Sequence, residues 1–107
     1  MTDCIFCKIN AILTPTEFIY KDEEMSAFYD ISPKAPVHFM IIPKLHIESM
    51  DALTEQHINL IGKMMLKAST LAKEHGLKGY KVKINTGVEG GQEVFHLHIH
   101  VLGRSYK

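Results

Sequence analysis

Three of the chain's seven histidines fall within five residues, His96, His98 and His100, and each is separated from the next by an apolar residue. A strand sends successive side chains to opposite faces. The alternation therefore predicts a strand over 94–102, with the imidazoles on one face and Phe95, Leu97, Ile99 and Val101 on the other. Imidazole is the side chain most easily poised between donor, acceptor and nucleophile near neutral pH, so a row of three facing a cleft is a candidate site. A metal bound by all three is the rival reading, but positions i, i+2 and i+4 of one strand do not converge readily on one ion. A second set is Cys4 and Cys7, whose spacing suits two thiolate ligands, with His46 and His96 as candidates to complete a Cys₂His₂ zinc site. A redox pair or two reduced core thiols are the alternatives.

The elements that must position these groups can be read in order. Residues 3–10 form a short helix that carries the cysteines, with Asp3 as N-cap and Pro15 beyond its end. Residues 17–21 and 25–30 form a hairpin around Asp22-Glu23-Glu24, and the two prolines in 30–36 impose a loop. A buried strand at 37–42 begins near His38 and stops at Pro43. Residues 54–75 carry a helical stripe of Ile58, Ile61, Met65, Ala68 and Ala72, capped by Thr54 and ended by Gly76. His57 and His75 at its two ends are expected to be solvated. Its apolar arc is wide enough to suggest packing on a second subunit, and a helix fully buried in the monomer would show the same arc. A strand at 80–86 follows, with Tyr80, Val82 and Ile84 inward and Lys81 and Lys83 outward, and then a glycine-rich loop leads to the histidines. The result is a single α+β domain over 1–107, built on an antiparallel sheet.

Composition narrows the function. Lysine plus arginine equals aspartate plus glutamate at 12 each, which lacks the electrostatic footprint of a general nucleic-acid binder. No apolar run is long enough to span a bilayer, no signal-peptide pattern opens the chain, and two cysteines make no disulfide framework. The expectation is a cytoplasmic protein without a membrane partner.

Taken together, Asp30-Ile31-Ser32-Pro33 through His38, Asn85, Gly90-Gly91-Gln92 and His96-Leu97-His98-Ile99-His100 resemble the histidine-triad (HIT) family, most closely its Hint branch. The resemblance implies a HIT fold: a five-stranded antiparallel sheet with one long helix and a short N-terminal helix, dimerising into a ten-stranded sheet. It also implies binding of a purine nucleotide, AMP or GMP, and hydrolysis of purine nucleoside 5′-phosphoramidates, including AMP joined to lysine, through a covalent intermediate on His98. His98 would be held by the backbone carbonyl of His96, while His100 and His38 hold phosphate oxygens or pass a proton to the leaving amine. Backbone amides around Gly91, Gln92 and Glu93 would cradle the phosphate, and Asn85 would add a hydrogen bond. Asp30 would accept from the ribose hydroxyls, with Ile5, Phe6, Ile9, Phe28 and Ile31 as walls for the base. Some Hint proteins carry serine where this chain has Glu93, so a serine hydroxyl is not part of the chemistry here. Zinc-bearing members combine a Cys-x-x-Cys pair with histidines, which favours a structural zinc on Cys4, Cys7, His46 and His96, with no metal required for catalysis. The alternatives are a dinucleoside polyphosphate hydrolase of the same family and a non-catalytic, zinc-stabilised nucleotide-binding module.

Overall fold

The computed structural model describes residues 4–11 and 16–105, so Asp3 and Pro15, expected to bound the first helix, lie outside the described residues. Helix α1 spans Ile5–Asn10, and Cys4 caps it, its Sγ accepting from the Cys7 amide at 3.4 Å. Strands β1 (Phe18–Lys21) and β2 (Met25–Tyr29) form the expected hairpin. The Asp22 carboxylate closes its turn by accepting from the amides of Glu24 and Met25 at 2.7 and 2.9 Å. Strand β3 covers Val37–Pro43, helix α2 Ile58–Glu74, β4 Leu77–Lys83 and β5 Ile99–Ser105. All pairings are antiparallel, in the order β1-β2-β3-β5-β4. This is the five-stranded α+β architecture expected.

The sheet has two unlike faces. On one, Phe39, Ile41, Ile99 and Val101 pack against Met64, Ala68, Leu71 and Ala72 of α2. On the other, Phe28, Met40 and Ile42 pack against Phe6 and Ile9 of α1. This second face is only partly covered, and its open part is the site. Pairing register lines up Phe28, Met40, His100 and Lys83 in one row across β2, β3, β5 and β4.

Several boundaries differ from the periodicity reading. The strand expected over 94–102 starts only at Ile99, because the chain bends at Val94–His96, and Phe95 is 45% exposed rather than buried. A 3₁₀ turn, Glu55–His57, precedes α2, and Thr54 caps it. His57 is no idle surface residue, since its Nδ1 accepts from the Thr54 amide at 3.0 Å. His75 likewise donates from Nδ1 to the Leu71 carbonyl at 2.8 Å, accepts from the Tyr29 hydroxyl at 2.9 Å and stacks on Phe39. Gly76 ends the helix with φ +77°, a conformation that L side chains resist. Strand β4 begins three residues earlier than expected, at Leu77, and ends at Lys83. Being an edge strand, it leaves Tyr80 and Val82 each 37% exposed instead of inward. No helix among the described residues is long and apolar enough to cross a membrane.

Candidate active site

The bend at Val94–His96 divides the three histidines. The His96 side chain turns towards Cys4 and Cys7, whereas His98 and His100 turn into a cavity of about 460 Å³. His98 sits just before β5, where its Nδ1–H donates to the His96 carbonyl at 2.7 Å. That bond fixes the tautomer, leaving the Nε2 lone pair free. Phe6 packs edge-on against the His98 ring at 5.0 Å between centroids, so the ring is held from the side as well.

A second chain of hydrogen bonds sets His38 and His100. The Lys34 amide donates to His38 Nδ1 at 3.0 Å. An amide can only donate, so neutral His38 carries its proton on Nε2, which lies 2.9 Å from His100 Nδ1 and 3.4 Å from Asp30 Oδ2. His100 Nδ1 is therefore the acceptor, and its proton sits on Nε2. Asp30, His38 and His100 are close enough together to hold an ion. The Lys34 amide favours a hydrogen-bonded chain over a metal site, because it places a proton on the nitrogen that a metal would need.

Burial disfavours the charged form of these imidazoles. It pushes His38 and His98 below the ordinary histidine value, against the opposing pull of Asp30. His100 is pushed down to about 4 by burial first, then by His98, His38 and Lys83. Near neutrality the site thus presents uncharged rings in defined tautomers.

The apolar end of the cavity is built by Ile5, Phe6 and Ile9 of α1 with Phe28 of β2, all of which line it. Asp30, Asn85, Gly91 and Glu93 also line it, as does Ile31, which at 98% exposure stands at the mouth. Gln92 does not line it. Its side chain is buried, donating to the carbonyls of Glu48 and Val94 at 2.7 and 3.0 Å and accepting from the Gly87 amide at 2.9 Å. The loop also spends the amides of Gly91 and Gln92 on the carbonyls of Val88 and Gly87, both at 3.0 Å. Of the three amides expected to face a phosphate, the Glu93 amide is the one outside this internal bonding. Gly91, at φ +87°, turns the chain so that its carbonyl accepts from Asn85 at 3.4 Å.

Sequence reasoning missed Met40, Lys34 and Lys83 as lining residues. Met40 follows His38 by two, and Lys83 precedes Asn85 by two, so strand period alone places both beside residues already assigned to the site. Lys34 lies in the proline loop, where no period operates.

The remaining cluster is Cys4, Cys7, His46 and His96, whose four ligand atoms lie within 4.8 Å of one another. Cys4 Sγ and Cys7 Sγ stand 3.3 and 3.6 Å from His96 Nδ1, Cys7 Sγ stands 3.3 Å from His46 Nδ1, and the two Nδ1 atoms are 3.2 Å apart. Tetrahedral zinc, with bonds of about 2.3 Å to sulfur and about 2.0 Å to nitrogen, separates sulfur from nitrogen by roughly 3.5 Å and nitrogen from nitrogen by roughly 3.3 Å. The donor set fits. His96 Nε2–H donates to the Pro43 carbonyl at 2.8 Å, which leaves Nδ1 unprotonated and aimed at the cluster. Burial, and next the neighbouring Cys4 thiol, push the Cys7 thiol up; a divalent cation reverses that direction.

Comparison with known proteins agrees with the geometry. A family profile described as "Scavenger mRNA decapping enzyme C-term binding" matches residues 3–107. Protein HitA of Neisseria gonorrhoeae is 53% identical over 104 residues, which span 96% of this chain and 97% of that protein. Purine nucleoside phosphoramidase of Escherichia coli K12 is 39% identical over 103 residues, 94% of this chain and 87% of that protein. The crystal structure of a HIT family hydrolase from Legionella pneumophila superposes with a TM-score of 0.94 at 38% identity, covering 97% of this chain and 95% of that one. A Zn-bound histidine triad family protein from Mycobacterium smegmatis superposes at 0.83 with 30% identity, covering 96% of this chain and 76% of that one. With a profile over residues 3–107, relatives 53% and 39% identical over nearly the whole chain, and the three histidines on the expected sheet, the chain belongs to the histidine-triad family.

Proposed function

We propose that this protein hydrolyses purine nucleoside 5′-phosphoramidates, with His98 as nucleophile. The observation that carries the reading is the 2.7 Å bond from His98 Nδ1–H to the His96 carbonyl, which frees Nε2 inside a cavity with one apolar and one imidazole-lined end. The base occupies the apolar end formed by α1 and Phe28, and Asp30 accepts from the ribose. The α-phosphate then meets His98 and His100. The Nε2 lone pair of His98 attacks phosphorus, a P–N(imidazole) bond forms, and the P–N bond to the leaving amine breaks. The departing nitrogen takes the Nε2 proton of His100, whose ring His38 orients through its hydrogen bond to Nδ1, and the Glu93 amide holds a phosphate oxygen. Water then attacks phosphorus and gives one proton back to His100, the P–N(imidazole) bond breaks, AMP leaves, and His98 returns to its free form. A relative named purine nucleoside phosphoramidase, 39% identical over nearly the whole chain, supports the substrate class.

Cys4, Cys7, His46 and His96 would hold zinc. With four protein ligands the ion supplies no open coordination position and serves structure only, tying α1 to the bend that carries His96. Homodimerisation is part of the proposal, as is a cytoplasmic location, which suits two reduced thiols. Edge strand β4 has one side unpaired and leaves Tyr80 and Val82 partly exposed, and Ile58 and Leu66 of α2 are 65% and 73% exposed. Sedimentation at micromolar concentration should give a dimer mass, and a monomer would refute that part.

The test is AMP release from adenosine 5′-phosphoramidate by the wild type and by His98→Ala. Turnover by the wild type and none by a folded variant is expected. AMP binding without turnover by the wild type would replace the hydrolase with a binding module.

A further inference from the structure

We propose that Lys83 makes the enzyme select phosphoramidates whose leaving amine carries a carboxylate, that is, nucleotides joined to the α-amine of an amino acid. The inference rests on the phosphoramidate reading and names the leaving group that reading leaves open.

The row Phe28, Met40, His100, Lys83 gives the cavity a direction. Residues directly opposite on antiparallel strands share a face, so Lys83 projects on the same side of the sheet as His100. Its side chain lines the cavity. Phe28 marks the base end and His100 the phosphate position. The step after His100, one strand spacing of about 4.8 Å, therefore belongs to the leaving group. A carboxylate on the carbon next to the leaving nitrogen lies at about that distance from phosphorus. Asp30 and Glu93 line the same cavity, but among the described residues no carboxylate lies within ion-pair distance of Lys83. Lys34, the other lysine of the cavity, stands off the row and donates from Nζ to the Ser32 carbonyl at 3.2 Å. The charge of Lys83 reaches the imidazoles, adding to the forces that hold His38 and His100 neutral. Lys81, two residues earlier on the same strand, is paired opposite Leu102 and does not line the cavity.

The probes are adenosine 5′-phosphoramidates of glycine and of glycinamide, near-isosteres that differ in the charge of the leaving group. The readout is the ratio of their kcat/KM values. Comparing that ratio between enzymes cancels the intrinsic reactivity of the two leaving amines. Relative to wild type, Lys83→Ala should lower the ratio about fivefold, the scale of a solvent-accessible ion pair. Lys83→Glu should lower it further, and Lys81→Ala should leave it within twofold. A ratio within twofold of wild type in Lys83→Ala would overturn the proposal, as would an equal fall in Lys81→Ala, which would assign the effect to net charge. Turnover of neither compound by a wild type that still releases AMP from adenosine 5′-phosphoramidate would likewise overturn the proposal, whereas failure on all three compounds would overturn the phosphoramidate reading itself.

Discussion

Acidification should unfold this protein partly through His100. Its pKa is about 4 in the folded chain against an ordinary 6.5. Between those values the unfolded chain binds the proton and the folded chain does not. The stability contributed by the neutral ring is therefore present above pH 6.5 and lost as pH falls towards 4. At pH 5 the loss from this group alone is about 2 kcal/mol, with a slope of about 1 kcal/mol per pH unit near pH 5.5. The groups responsible besides burial are His98, His38 and Lys83, opposed by Asp30. Urea denaturation of wild type and His100→Gln at pH 7.5, 6.5, 5.5 and 5.0 isolates the effect, since every other titrating group is common to both. The wild type should lose stability more steeply by about that slope. Parallel curves for the two proteins would refute the reasoning, as would an imidazole NMR titration placing His100 at 6.5 or above.

Phe6→Ala removes a buried ring that touches Phe28, His96 and His98, and should cost about 3 kcal/mol in denaturation while raising KM for the nucleotide. Elemental analysis should find one zinc per chain in the wild type and far less in Cys7→Ser, with a lower Tm; equal metal content would remove the zinc site. Gly103→Ala places a Cβ 3.0 Å from the Gly79 carbonyl and 3.1 Å from Leu77 across β4 and β5. It should destabilise by about 1–2 kcal/mol, read as a lower Tm, and an unchanged Tm would show that β4 yields freely.

Strand period made much of the site legible in the sequence. It placed Leu97, Ile99 and Val101 in the core, and all three are buried. It failed at Phe95 and His96, because period 2 assumes an extended chain, and a bend there lets one histidine leave its neighbours for a pair of cysteines some 90 residues away. Nothing local encodes that bend. The inward turn of Gln92 was also hidden, since a polar side chain in a glycine loop reads as exposed until the carbonyls of Glu48 and Val94 are seen to need donors. Lys83 could have been found from Asn85 but was read as a solvated charge. The core uses only part of the α2 arc: Met64, Ala68, Leu71 and Ala72 are buried, while Ile58 and Met65 of the expected stripe remain exposed.

The central claim is that His98 attacks phosphorus through Nε2, and the most direct test is to quench the reaction early and weigh the protein. A nucleotidyl group on His98, located in the peptide containing residues 96–100 and absent from a folded His98→Ala variant that has lost turnover, is the expected result. Turnover persisting in that variant, or an adduct on a different residue, would contradict the account.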